Sequence, residues 1–406
     1  MEKSPEKSHL KLSFKLMALL LGLMLLLTGC GGKKEVEELF FVLGVGVDLG
    51  KEEGTYVITL QMADPKISGG GGAEIGNLTV SIETDSLAEV QDKLNESLEK
   101  QPFMGTVRIF VIGEELARSG LNDAIDLFQR FSQFRRSAYL LVAKGEAKEV
   151  LSATIQGKDL PALSLLETIE GQKHFSVFPV TRLGHYLTVL GRDGQRPLIP
   201  LVEVLEKGEH GITYQSNEKG GRELTVHEAG VFQGGMMKGV LSDEESKGYL
   251  WLDDQVNSRI IFTEVMDGIK ISCRIVDTKT KYKVEEINGQ IGIRFIIDAR
   301  GVIREIWGQK QTFNNIEWQD FLKACEPYVS QAIQKECEAA IAKSKKLQLD
   351  FVGIGRKIEV KKPKYWQQVR DNWEEQLLDI PIVYEIMVDI EHAGFVRNSP
   401  SSIEDK

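Results

Sequence analysis

The sequence predicts a multi-domain α+β protein: a mixed α/β N-terminal region, then a C-terminal domain built on an antiparallel sheet with one long packed helix. Three observations predict it. Up to residue 205, apolar runs of strand length alternate with stretches whose apolar residues recur at helical spacing, which is the pattern of helices laid on a sheet. From Glu206 to Arg222 the chain turns charged and Gly-rich, the composition of a domain boundary. Beyond it strand patterns follow one another at hairpin spacing until a long helical stretch that Pro327 opens. With 406 residues, 42% of them hydrophobic, the chain can bury sizeable cores. A prior of about 150 residues per domain suggests two or three domains.

The first element is a leader. Lys3, Lys7, Lys11 and Lys15 precede an apolar run from Leu16 to Leu27 broken only by Gly22, the layout of a secretory signal segment. The run is shorter than the roughly 20 residues that span a bilayer. It ends in Leu27-Thr28-Gly29-Cys30, where small residues directly before a cysteine form a lipoprotein-processing site. Leader charge, core length and this tetrapeptide together set it apart from an ordinary cleaved signal. Cys30 is therefore the expected lipid attachment site and mature N-terminus, and two acyl chains on one residue anchor durably where one chain binds only reversibly. The leader's four lysines and two glutamates carry a net charge of +2, so its removal takes the chain from −10 to −12. So acidic a body, without a basic cluster, lacks the phosphate-neutralising surface of a nucleic-acid binder.

The mature chain opens with a polar tether, Gly31 to Glu38. Leu39 to Asp48 and Tyr56 to Met62 read as strands joined by a turn at Gly50 to Gly54. Gly44-x-Gly46 lacks the third glycine and following helix of a dinucleotide fingerprint, and Gly69 to Gly72 lacks the Lys-Ser/Thr of a phosphate loop. A strand at Leu78 to Ile82 leads to a helix with Ser86 and Glu89 as a capping box and Leu87, Val90, Leu94 and Leu98 as its apolar face. Pro102 ends that helix. Strands at Thr106 to Ile112 and Ala138 to Ala143 flank a helix at Leu121 to Phe131; further helices are expected at Ala147 to Leu151, Pro161 to Ile169 and Thr181 to Leu190, before a strand at Leu198 to Leu205.

After the charged interval, Leu224 to Phe232 reads as a strand turning at Gly234-Gly235. Asp243-Glu244-Glu245 suit a helix N-terminus, where negative charge complements the dipole. Ile260 to Val265, Ile269 to Val276, Lys281 to Ile287 and Ile291 to Ile297 read as an antiparallel run. The helix from Pro327 to about Lys346 carries Val329, Ile333, Cys337, Ala340 and Ile341 near one face, and Asp350 to Ile354 and Ile382 to Ile390 close the domain as strands. Cys325 and Cys337 sit well over about 10 Å apart along such a helix, beyond disulfide reach. They and Cys273 are expected as free, buried thiols.

Candidate chemistry fails residue by residue. His227-Glu228 would need a histidine at 231 for a zinc-protease helix, where Val231 stands. There is no Gly-x-Ser-x-Gly elbow. The adjacent acids Asp253-Asp254 read as solvated surface groups more readily than as a glycosidase pair. His174, His185 and His210 have no ligand spacing. No catalytic residue, cofactor site or metal site is expected. The Gly113-Glu114-Glu115 corner has two readings: a dock for a basic loop of a partner, or, preferred, acids that favour a helix N-terminus.

The lipobox, Gly105-Thr-Val-Arg108-Ile-Phe-Val-Ile-Gly113-Glu114-Glu115-Leu116-Ala117 with Gly120, and Arg135 before a strand resemble the N-terminal domain of the Ger(x)C spore-germination lipoproteins. Ala229-Gly230-Val231-Phe232, the segment from Gly239-Val240-Leu241 to Trp251, Asp350-Phe351, and Pro363-x-x-Trp366 with Trp373 are similar to that family's C-terminal domain. The resemblance implies residues 1–29 as signal peptide, 30–38 as tether, 39–205 as N-terminal germination-protein domain, 206–223 as linker, 224–395 as C-terminal germination-protein domain and 396–406 as a disordered tail. It further implies a non-catalytic C subunit of a nutrient germinant receptor. Such a subunit is held by lipidated Cys30 on the outer face of the spore inner membrane of a spore-forming Gram-positive bacterium, beside integral membrane A and B type subunits. Two other classes are weighed against it. A lipid-anchored solute-binding protein of an importer needs two similar α/β lobes, against which the antiparallel second half argues, and an envelope hydrolase needs a catalytic constellation.

Overall fold

The computed structural model describes residues 15–17, 35–65, 75–130, 132–155, 160–206, 221–308 and 315–391. Cys30, the Gly69 to Gly72 run, His210 and the expected tail lie outside the described residues. Within them the fold is α+β, with two sheets.

The first sheet has nine strands: β1 (Leu39–Leu49), β2 (Tyr56–Pro65), β3 (Ile75–Thr84), β4 (Gln101–Phe103), β5 (Ile109–Ile112), β6 (Tyr139–Ala143), β7 (Leu198–Glu206), β8 (Arg222–Gln233) and β9 (Met236–Leu241). Their order is β3-β2-β1-β5-β6-β7-β8-β9, with β4 beside β1. The central β1, β5, β6 and β7 are mutually parallel, and both flanks are antiparallel. The parallel strands are near-continuous apolar runs because both faces are covered. Phe110, Ile112, Leu140 and Val142 point into one core with Leu94, Phe128, Leu183 and Tyr186. Their neighbours Ile109, Val111, Leu141 and Ala143 point into the other with Leu151, Leu165 and Ile169. That is the two-residue period of a strand.

The second sheet has the order β10 (Arg259–Glu264), β11 (Lys270–Ile287), β12 (Gln290–Trp307), β13 (Ile382–Glu391). The helix Asn315–Leu347 covers one face, and its Cys325, Val329, Ile333, Cys337 and Ala340 join Ile271, Cys273, Ile275, Phe295 and Ile297 in a third core. That core also takes in Leu198, Ala229, Val231 and Leu241 from the first sheet. The residues expected to join two bodies are flanked by β7 and β8, which pair antiparallel from Leu198↔Val231 to Glu206↔Arg222. The C-terminal segment expected from residue 224 thus contributes its first two strands to the first sheet.

Several expectations are corrected. Ile269 to Val276 and Lys281 to Ile287 form one 18-residue strand, β11. The polar stretch between them reads as a turn, yet its residues stay in the ladder, with Asp277 paired to Arg300 and Lys279 to Asp254. The closing strand β13 runs parallel to β12, so the sheet is not wholly antiparallel. Pro327 does not open the long helix but lies inside it, after three turns that begin at Asn315. Asp350 to Ile354 is not a strand: the Asp350 carboxylate accepts the N–H groups of Ile354 and Gly355, at 2.9 and 2.7 Å, and starts the helix Ile354–Lys361. The Ser86 capping box is absent, since Thr84 Oγ1 donates to Glu89 in its place, whereas Ser242 and Glu245 form a complete box.

The tight turns follow their chemistry. Gly234 and Gly235, and Asn288 and Gly289, all have positive φ, as two-residue hairpin loops require. At Gly248 a side chain would overlap the carbonyl of Glu336, so the helix Asp243–Leu252 can cross Asn315–Leu347 closely only with glycine there.

Candidate functional site

At the carboxyl ends of β1, β5 and β6, where open α/β sheets place their ligands, the acidic corner borders a cavity of about 370 Å³ lined by Asp48, Glu115, Arg118 and Glu146 among others. Its anion is the protein's own. Asp48 is 6% exposed, and its carboxylate accepts the N–H groups of Ala147 and Lys148, at 2.7 and 2.9 Å, in the first turn of the helix Ala147–Ser152. Burial pushes this carboxyl above its usual range, against the two backbone donors. Gly113 leaves room for it, since a Cβ there would overlap Asp48 Oδ1. Glu114 donates its N–H to Gly145 (2.8 Å) and pairs through its side chain with Arg118 (2.7 Å) one turn on. This is the preferred, helix-starting reading of the corner.

Removing the cap by Asp48→Ala leaves two N–H groups without an acceptor, so a loss of about 2 kcal/mol is expected. Asp48→Asn, which keeps one oxygen, loses less. Urea midpoints of the two variants check this; an alanine variant as stable as the parent would show that the cap contributes nothing.

The remaining sequence candidates have ordinary partners. Glu228 in β8 pairs with Lys144 at 2.9 Å, and the His227 ring lies 3.4 Å from Thr225 Oγ1. Asp253 accepts from the Tyr249 hydroxyl (3.0 Å) and Gln255 (2.6 Å), while Asp254 accepts the Thr280 N–H (2.7 Å) and pairs with Lys279. The two adjacent carboxylates serve different elements. His174 lies in the last turn of the helix Pro161–Phe175, and His185 is exposed on the helix Leu183–Leu190. Cys273, Cys325 and Cys337 are free and buried. Burial pushes the first two thiols up to about 12 and the third well above its usual value, so none is a ready nucleophile. Among the described residues no group of three His, Cys, Asp or Glu is placed to hold a metal ion.

What the fold does bring together is the set of C-terminal motif residues, at the seam between the halves. Asp350 is 1% exposed and accepts from Trp373 Nε1 (3.0 Å) as well as from its helix. Burial raises its pKa, opposed by these donors. Its own carbonyl accepts the Arg196 N–H at 2.7 Å, and the Gly194 carbonyl accepts the Arg356 N–H at 3.0 Å. Gly194, at φ 67°, lies against the Trp366 ring, which stands edge-on to Trp373 with centroids 5.1 Å apart. Glu374 then receives Arg196 (2.7 Å), from the connection before β7, and Gln233 (2.6 Å), from β8 of the first sheet. The connection before β7 is thereby docked onto the helices that precede β13. Sequence reading singled out Asp350, Trp366 and Trp373 but missed Gly194, Arg196 and Glu374. The Arg-Asp-Gly turn at 192–194 was the available signal. Chemically this seam holds two halves in one arrangement.

Comparison with known proteins matches residues 32–204 to the family described as "Spore germination protein N-terminal domain" and residues 227–394 to "Spore germination B3/ GerAC like, C-terminal". Among curated proteins, spore germination protein KC of Bacillus subtilis (strain 168) is 25% identical over 95% of this chain and 97% of its own length. Spore germination protein B3 of the same organism is 25% identical over 92% and 96%. Spore germination protein A3 is 23% identical over 91% and 95%. The crystal structure of the GerBC protein matches with a TM-score of 0.54 and 20% identity, over 88% of this chain and 99% of that one, a likeness of fold.

Proposed function

The chain belongs to the Ger(x)C family of spore germination proteins, and from that premise we propose that it is a lipid-anchored, non-catalytic subunit of a spore nutrient germinant receptor. The observation that carries the reading is the match of both family domains, in order, across residues 32 to 394, directly after the lipobox that ends at Cys30. In this reading Cys30 holds the body to the outer face of the spore's inner membrane. The body acts there through contacts with integral A and B type subunits. Among the described residues no helix is long and apolar enough to cross a membrane, so in this reading the lipid supplies the attachment. The docked seam around Asp350 suits such a role, because a fixed relation between halves pre-organises a contact surface and lowers the cost of binding.

Purification of the chain from spore membranes in mild detergent tests the proposal. Two integral membrane chains should co-purify with it and be identified by mass spectrometry. Purification alone, together with turnover of a wall or nutrient substrate, would replace the receptor reading with that of an envelope hydrolase.

A further inference from the structure

A second cleft, of about 570 Å³, opens between the halves at the amino end of β6, where Tyr139 begins that strand. One wall comes from the first half, through Tyr139, Lys173 and Arg182, and the other from the second half, through Leu250 and Asn257. Its floor is apolar: Ile169, Phe178 and Leu250 are 3%, 2% and 2% exposed.

The charges around it are unequal. The two carboxylates that line it already have partners, Glu170 in Arg108 at 3.5 Å and Asp254 in Lys279 and the Thr280 N–H. The cations differ. Arg182 lies over the Tyr139 ring at 4.6 Å, donating to its hydroxyl (2.9 Å) and to the Ser137 carbonyl (3.2 Å), contacts that fix the guanidinium without neutralising it. Among the described residues neither Arg182, whose donors go to Tyr139 and Ser137, nor Lys173 forms an ion pair with a carboxylate. In a chain of net charge −10, two unneutralised cations above an apolar floor are a local inversion.

The backbone is also unusual here. Four non-glycine residues among those described have positive φ, and two of them, Ser176 (47°) and Asp254 (56°), line this cleft from opposite halves. The buried Ser176 Oγ accepts the Asn257 N–H at 2.9 Å, stitching the walls together at the base. Both residues terminate helices, Pro161–Phe175 and Asp243–Leu252, so two helix ends from opposite halves meet at this cleft. Clefts at domain interfaces with an apolar lining and a few convergent polar groups are the usual form of a small-molecule site.

We infer that this cleft binds a small organic carboxylate, its anionic head on Arg182 and Lys173 and its body in the crevice between the two walls. The inference is independent of the proposed receptor role. Arg182 retains unused N–H donors for a planar carboxylate, and Lys173 adds a second charge that no other contact holds in place. Because the walls belong to different halves, an occupant touches both.

Benzoate and its uncharged isostere benzamide, titrated by ligand-detected NMR against the full mature chain in non-ionic detergent, test it, with empty micelles as the blank. Saturable binding of benzoate is expected, with benzamide at least tenfold weaker. Lys173→Gln removes a charge that forms no ion pair among the described residues, and should weaken benzoate severalfold; Arg182→Gln should weaken it at least tenfold. Arg304→Gln, exposed on β12 and outside the cleft lining, should change nothing. Absence of saturable benzoate binding, equal binding of the amide, or unchanged affinity in the folded Lys173→Gln protein would each overturn the inference.

Discussion

Replacing Cys30 by alanine is expected to move nearly all of the chain from the membrane pellet to the soluble fraction, and with it to abolish the nutrient response at native abundance. The leader is too short to span, and no described helix can do so. In the proposed reading attachment rests on acyl chains at Cys30, each buried methylene worth about 0.8 kcal/mol, and removing the thiol removes every one of them. The functional loss follows from concentration. Gly31 to Glu38 is eight residues, so β1 begins at most about 28 Å from the lipid surface. Confinement in such a layer raises the effective concentration toward an integral partner to the millimolar range, letting weak interfaces suffice. Mass spectrometry of the parent should find Met1 to Gly29 missing and Cys30 acylated, and overproduction of the soluble variant on the same side of the membrane should partly restore the response. A soluble variant that supports a full response at native levels would remove the anchor from the mechanism, and one that stays in the pellet would show that something other than Cys30 attaches the body.

The two halves differ in how far their sequence reveals them. In the first, strands such as Ile109–Ile112 and Tyr139–Ala143 are continuous apolar runs between polar helices, and periodicity alone separates them. In the second, the helices Ile354–Lys361, Pro363–Val369 and Trp373–Asp379 are too short to show a helical period, and although Asp350 and Pro363 start the first two locally, their packing is specified at a distance. Asp350 and Trp373 bond across 23 positions, and Gly194 and Arg196 close the same packing from the other half. Pro327 misleads for a related reason: a proline usually starts a helix, but tertiary packing of Trp318, Leu322 and Cys325 extends this one upstream of it. The unneutralised cations of the cleft are likewise invisible in the sequence, since Lys173 and Arg182 stand among acids whose partners only the fold reveals. The motif residues could be picked out one by one. That they share a single seam could not.

The interior of the second half holds an ion pair whose disruption is the largest expected loss of stability. Arg259, at the start of β10, has a side chain 6% exposed, and its Nη2 lies 2.9 Å from Glu336 Oε1 on the long helix. Glu336 Oε2 accepts Trp251 Nε1 at 2.7 Å, and the guanidinium sits 5.7 Å from the Trp251 ring, so three elements meet on one carboxylate. Burial pushes Glu336 up and Arg259 down from their ordinary values, each toward its neutral form, the sign that desolvation rather than attraction dominates the site. Such a pair adds little net stability as a whole but is costly to halve. Glu336→Ala strands a guanidinium whose Nε and Nη1 already lack protein partners among the described residues, and it also frees the indole N–H. A loss of about 3 to 5 kcal/mol is expected for it. The double variant Arg259→Met with Glu336→Leu replaces both charges by apolar groups of similar length and should recover most of that loss. Guanidinium unfolding followed by tryptophan fluorescence and far-UV circular dichroism distinguishes the two. If the double variant falls as far as Glu336→Ala, the cost lies in packing and not in the stranded charge; if Glu336→Ala matches the parent, the three-element junction contributes nothing to the fold.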